Sequence, residues 1–176
     1  MTSSDSTIRL RALEPEDLEL IYRIENDTAF WQYGTTTVPY SRYAIRQYLQ
    51  NAQNDLFADR QVRLVIEKQP HLAIGFADLC NFDPVHQRAE VSLAVLPEYQ
   101  GQHIGFKAMQ QLCDYARALP ALHQIYAIIA TTNQPATHLF QRLQFTPAAT
   151  LREWLLHDDG GFTDAVLWQK KLDQRH

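Results

Sequence analysis

From Val62 to Leu119 the hydrophobic pattern repeats first every second residue and then at helical spacing, and the change falls on a short glycine-bearing turn. Val62, Leu64 and Ile66 alternate with Arg63, Val65 and Glu67, and Lys68-Gln69-Pro70-His71 separates them from the run Leu72 to Leu79. Two such runs around a polar turn predict a hairpin. The run from Ala89 to Leu96 follows the turn-rich Asn81-Phe82-Asp83-Pro84 and stops at Pro97, which extends the hairpin to an antiparallel meander. From the turn that carries Gly101 and Gly105, the residues Ile104, Ala108, Leu112, Ala116 and Leu119 keep helical spacing until Pro120 ends it. A meander feeding a helix through a tight turn must bury a sheet face under a helix stripe, so the fold class is α/β, of the α+β kind.

The flanking segments extend this plan. Ile8, Leu10 and Ala12 alternate as a strand, Pro15 opens a helix, and Leu18, Ile21, Tyr22 and Glu25 share its face up to about Asp27. Phe30 to Tyr40 is aromatic and without period, with turn formers at Gly34 and Pro39, and reads as an irregular loop. Ser41 suits an N-cap, and Ile45, Tyr48, Leu49 and Ala52 follow at helical spacing. Ile125 to Ala130 reads as a buried strand. Pro135 then opens a helix with Ala136, Leu139, Phe140 and Leu143 inward. Asp158-Asp159-Gly160-Gly161 turns a last hairpin between Leu151–His157 and Phe162–Lys170. The expectation is one domain over 1–176, with about seven strands in a mixed, mostly antiparallel sheet and about four helices; 176 residues suit one domain at about 150 each.

Charge and cysteine content exclude several functions. The formal net charge of −4 repels a phosphate backbone or an anionic membrane, so neither nucleic acid nor membrane is an expected partner, and any anion site must be local. Cys80 and Cys113 are the only cysteines, too few for a disulfide framework or a thiolate metal site. Successive histidines lie at least 15 residues apart, so no local pair shares a helical face, and no metal is expected. The N-terminus has no apolar leader, and no stretch reaches the roughly 18 apolar residues of a membrane span. These features point to a cytoplasmic protein.

Gln100-Gly101-Gln102-His103-Ile104-Gly105 lies between a strand and a helix start, where free N–H groups and the positive dipole end favour an anion. Neither G-x-x-x-x-G-K-[ST] nor a dinucleotide G-x-G-x-x-G is present. The element order resembles the GNAT superfamily of N-acetyltransferases over nearly the whole chain. Its pyrophosphate motif [QR]-x-x-G-x-[GA] is met at Gln100, Ile104 and Gly105, with His103 where the inner glycine usually stands. Its second motif, N-x-x-[AS]-x-x-L-[YF]-x-[KR]-x-G-F, is similar to Asn133 through Phe145, with Gln144 replacing glycine. Ile8–Glu14, His86–Val91 and the tail Leu151-Arg152-Glu153 to Gly161-Phe162 resemble the bacterial, cytoplasmic branch of spermidine and ribosomal-protein N-terminal acetyltransferases. The spermidine enzymes carry Glu-Glu before the Pro-Tyr of the irregular loop, where Thr37-Val38 stands here.

The resemblance implies a splayed sheet holding acetyl-coenzyme A between the fourth and fifth strands, with direct transfer of acetyl to a primary amine. It implies cofactor contacts from Gln100, Gly101, Gln102, His103, Ile104 and Gly105, and from Asn133 and Phe140. An amine is mostly ammonium at neutral pH and needs a base. Glu90 stands near the general-base glutamate of histone-acetylating relatives; otherwise it is a strand glutamate in solvent or paired with Arg88. The family places its oxyanion donor on the fourth strand, here Leu93, Ala94 and Val95. The tyrosine that protonates the departing thiolate in many members is Phe140 here, which leaves water, Thr137 or Tyr126 for that step. His103 is either a turn residue in the left-handed region or a pyrophosphate contact. Asn133 is either a helix cap or a pantetheine partner. Trp31, Tyr33 and Tyr40 wall the acceptor groove in the family, and Glu25, Asn26 and Asp27 either add negative potential there or fray at a helix end. The competing function is a catalytically weak or inactive acyl-coenzyme A sensor, suggested by His103, Phe140 and Gln144. Polyamine, peptide N-terminus and small amine all stay open as acceptor, and a homodimer or higher homo-oligomer is open as assembly.

Overall fold

The computed structural model describes residues 7–31, 37–157 and 159–173. Strands β1 (Ile8–Ala12), β2 (Val62–Lys68), β3 (Ala73–Asp83) and β4 (Arg88–Val95) form the expected antiparallel meander, and β5 (Gln124–Ala130) joins β4 in parallel. The C-terminal hairpin of β6 (Thr146–Leu156) and β7 (Phe162–Lys171) pairs β7 against β5, giving one mixed seven-stranded sheet in the order β1-β2-β3-β4-β5-β7-β6. This is the α/β architecture expected from the sequence, and each of the two sheet faces is covered by helices.

Helices α4 (Ile104–Arg117) and α5 (Gln134–Arg142) cover one face, where Ala89, Val91 and Val95 of β4 meet Ala108, Met109 and Leu112. Helices α1 (Leu18–Glu25) and α3 (Arg42–Asn51) cover the other, packing Ile21, Ile24 and Ile45 against Val65 and Phe76. The alternating strand pattern sends successive side chains to opposite cores. Two caps appear where expected: Ser41 Oγ accepts the Ala44 N–H at 3.0 Å, and Asn133 Oδ1 accepts that of Ala136 at 3.2 Å. The Gln111 side chain of α4 closes part of edge strand β1, accepting from Leu10 N and donating to Ile8 O. The buried carboxylates at this end are satisfied: Glu67 accepts from Arg9 and Arg11, and Asp17 from Arg11 and the Glu14 N–H.

Three departures from the sequence expectation have physical causes. Thr28–Trp31, with Phe30 and Trp31 expected at the start of an irregular loop, is a helical turn, α2, too short to display a period. β3 continues past Leu79 to Asp83 and β6 begins at Thr146 rather than Leu151, and in both strands a register shift interrupts the alternation. In β6, Leu151 faces Ala165 while Leu155 faces Thr163, and the intervening bulge has Glu153 at φ 47° with its N–H donated to Asp164 Oδ1. Among the described residues no helix is long and apolar enough to cross a membrane.

Candidate active site

β4 and β5 pair only at Arg88↔Gln124, Ala89↔Ile125 and Glu90↔Tyr126. Beyond that point they part, leaving Val91 to Val95 as about 13 Å of β4 edge with no strand beside it among the described residues. Which groups this edge offers follows from pleat alternation. Leu96 N donates to Ile74 O at 2.9 Å, so the even-numbered residues of β4 spend their main-chain groups on β3. The odd-numbered residues Val91, Leu93 and Val95 therefore turn theirs into the gap. Of the three residues expected to carry the oxyanion donor, Leu93 and Val95 face the opening, whereas the Ala94 amide is turned to β3. The Val95 carbonyl accepts from Gln100 Nε2 at 2.9 Å, so Gln100 ties the turn to the gap wall.

The turn stands at the mouth of the gap. Gly101 adopts φ +77° and His103 φ +58°, and α4 starts at Ile104 with no side-chain cap on His103. The first helical bond is Lys107 N to His103 O. The amides of Gln102, His103, Ile104, Gly105 and Phe106 donate to no protein group among the described residues. These are the donors that an anion at a helix start engages. His103 takes the left-handed conformation that glycine holds more easily, at a cost of about 1–2 kcal/mol. At Gly105 a Cβ would lie 3.2 Å from Leu93 Cδ2, so the missing side chain seats the first turn of α4 close to the gap wall. Lys68, which sequence reasoning passed over, reaches from the end of β2 to Gln102 Oε1 at 3.2 Å and brings a cation to the same turn.

On the opposite face, Glu90 and Tyr126 sit side by side at the vertex where the strands separate. Glu90 Oε2 accepts from Asn81 Nδ2 at 2.7 Å, while Arg88 bonds Asp83 instead of Glu90. Burial raises the Tyr126 phenol above its ordinary value, and the Glu90 carboxylate adds to this. Burial likewise pushes the Cys80 thiol up to about 12, with Glu90 and Asp78 contributing. One row further along the sheet, Arg63 of β2 forks onto Asp78 of β3, with Nη2 to Oδ2 at 2.9 Å, and reaches Glu25 of α1 at 2.7 Å; Ser92 Oγ of β4 stands 3.4 Å from Asp78. Burial raises the Asp78 carboxyl against the opposing pull of Arg63.

The structure thus brings Leu93, Val95 and residues 100–105 to one gap and Glu90 to its vertex. Asn133 uses its side-chain oxygen as the cap of α5. Phe140 is only 4 % exposed and packs edge-on against Phe145, with 4.8 Å between ring centroids. Tyr40 lines a cavity of about 390 Å³ between α1 and α3. Trp31 ends α2, and its side chain and the whole of Tyr33 lie outside the described residues. Sequence reasoning missed Gly75, Arg63 and Asp78. A glycine inside a strand run signals a close backbone approach, and opposite charges in neighbouring apolar strands signal a buried pair. Among the described residues no group of three or more His, Cys, Asp or Glu converges to hold a metal ion.

Comparison with known proteins adds to this geometry. The family model described as acetyltransferase (GNAT) domain matches residues 7–146. A spermidine N(1)-acetyltransferase from Vibrio cholerae is 30 % identical over 149 residues, 85 % of this chain and 84 % of that protein. The crystal structure of spermidine N-acetyltransferase from Vibrio cholerae in complex with CoA and spermine superimposes with a TM-score of 0.85 at 25 % identity, covering 96 % of this chain and 98 % of that one. A dodecameric structure of the Vibrio cholerae enzyme gives 0.80 at 25 % identity, covering 95 % of each.

Proposed function

The chain belongs to the GNAT acetyltransferase family and is an acetyl-coenzyme A-dependent N-acetyltransferase; from that premise we propose that its acceptor is a polyamine and that transfer takes place where β4 and β5 separate. The parting of those strands after Glu90 and Tyr126 carries this reading. It supplies a slot bounded at one end by turn amides that donate to no protein group among the described residues and at the other by a carboxylate.

In this arrangement the amides of residues 102–106 hold the diphosphate, with Lys68 adding a cation at the rim, and the thioester limb runs along the open edge of β4. The Leu93 N–H receives the carbonyl oxygen as it becomes negative, a fixed donor that needs no reorientation during the reaction. An acceptor ammonium gives its proton to Glu90, directly or through one water, and the freed nitrogen attacks the acetyl carbon. The C–S bond then breaks. A thiol pKa of about 8.5 lets the thiolate leave without an acid, which accords with the proton-free ring at Phe140. Glu90, Asp78 and Glu25 give the acceptor face the negative potential a polyamine requires. The dodecameric Vibrio cholerae relative supports a bacterial homo-oligomer, working in the cytoplasm as read from the sequence, and the exposed Trp154, Leu156 and Phe162 of the terminal hairpin offer apolar surface for such assembly.

The test is thiol release from acetyl-coenzyme A with spermidine, spermine, a dipeptide and a simple monoamine, together with product mass. Polyamines should give the highest kcat/KM. Preference for the dipeptide would overturn the acceptor, and binding of acetyl-coenzyme A without thiol release from any amine would favour the sensor reading.

A further inference from the structure

The cavity between α1 and α3 is walled by Ile21, Ala44 and Ile45, with the rings of Tyr40 and Tyr48 beside them and Glu25 and Arg63 at its floor. Its volume of about 390 Å³ and its mixed lining, aliphatic at Ile21, Ala44 and Ile45 and polar at Glu25, Gln61 and Arg63, suit a small ligand with a charged end. The Tyr48 hydroxyl donates to no protein group among the described residues. Arg63 is unsuited to an anion because its Nε and Nη2 are committed to Asp78 and its Nη1 to Glu25. Glu25 and Asp78, the two carboxylates bonded to Arg63, outnumber its one guanidinium, and Asp59 adds a further carboxylate near Tyr48, so the complementary ligand group is cationic. Burial works against that charge at Asp78, and a cation that neutralises it is stabilised in return.

We propose that this cavity holds the distal, non-reacting ammonium of the acceptor, placed against Glu25 and the Tyr40 and Tyr48 rings while the other end of the molecule reacts at the β4–β5 gap. This inference rests on the polyamine reading above and adds to it a position and a length. The row Arg63, Asp78, Ser92 runs from the cavity across β2, β3 and β4 to the gap. At about 4.8 Å per strand, cavity floor and reacting centre lie roughly 10–12 Å apart. An extended chain advances about 1.2 Å per bond, so the two nitrogens should be separated by roughly eight to ten bonds. Spermidine meets this through its terminal nitrogens, 1,8-diaminooctane does too, and 1,4-diaminobutane falls short. Glu25 would then provide the countercharge that Thr37 and Val38 lack.

The experiment compares kcat/KM for 1,8-diaminooctane, octylamine and 1,4-diaminobutane in the wild-type enzyme, Glu25→Gln and Tyr48→Phe. Thermal unfolding verifies that each variant is folded. Glutamine can still accept from Arg63, which preserves the local packing. The wild type should favour the eight-carbon diamine over octylamine by about tenfold or more, and Glu25→Gln should remove most of that preference by raising the diamine KM. Tyr48→Phe should reduce it less. An unchanged ratio in folded Glu25→Gln, or a four-carbon diamine as good as the eight-carbon one, overturns the subsite while leaving polyamine acetylation intact. If the wild type acetylates none of these amines nor spermidine, the acceptor reading falls and the subsite with it.

Discussion

Replacing Gly75 with alanine tests whether the position of β4 sets the rate. A Cβ at Gly75 would lie 2.2 Å from the Ala94 carbonyl oxygen and 3.0 Å from Val95 Cα. Carbon–oxygen contacts between strands sit near 3.3 Å, so the main chain of β4 must withdraw by about 1 Å. The obstacle is backbone rather than a side chain, so no rotamer change relieves it. Overpacking of this kind costs about 1–3 kcal/mol, which for a chain of this size lowers Tm by roughly 2–12 °C. The displaced segment adjoins Leu93 and carries Val95, the residues facing the gap, and a 1 Å misplacement of a reacting geometry costs about 100-fold in rate. The turn amides at residues 102–106 belong to the next element and should still bind coenzyme A. Gly75→Ala should therefore lose about two orders of magnitude in kcat at saturating acetyl-coenzyme A, with coenzyme A affinity by calorimetry falling far less. Full turnover in a variant with unaltered Tm would refute the close approach and the dependence built on it.

Glu90→Gln should lower kcat/KM at neutral pH by about 100-fold or more, and the deficit should narrow at alkaline pH as more acceptor arrives already deprotonated; a loss constant with pH would remove Glu90 as the base. His103→Gly relieves a left-handed residue at the α4 start and should hold or raise Tm while leaving coenzyme A affinity the same or tighter; weaker binding would make the imidazole a phosphate contact. Burial pushes the Cys113 thiol up to about 11 and the Cys80 thiol up to about 12, so at pH 8 both are almost wholly protonated. Mass spectrometry after brief iodoacetamide treatment at that pH should find the folded protein unmodified, and rapid labelling of the half-buried Cys80 would contradict its raised thiol.

The strands of the meander, α4, α5 and the two capping residues are legible because each writes its own local pattern: alternation, helical spacing, or a side chain able to accept an N–H at a helix start. The bulged strands escape for the same reason. One or two extra residues at Cys80–Asp83 and Leu151–Leu155 break the alternation without ending the pairing. Gly75 and the Arg63–Asp78 pair left marks in the sequence, but only β2 lying beside β3 turns two isolated charges into a buried fork.

The sequence by itself determined the order of elements, the faces they bury and the turn from Gln100 to Gly105, because period, caps and turn formers act over a few neighbouring residues. The tertiary structure decided where β4 lets go of β5. β7 claims the full length of β5 while β4 has it for only three residues, and that competition between segments some 40–80 residues apart leaves no local trace. It likewise decided which β4 amides face the opening, since pleat alternation fixes this only once the β3 register is set, and that Glu25 of α1 should meet Arg63 of β2 beneath a cavity roofed by α3.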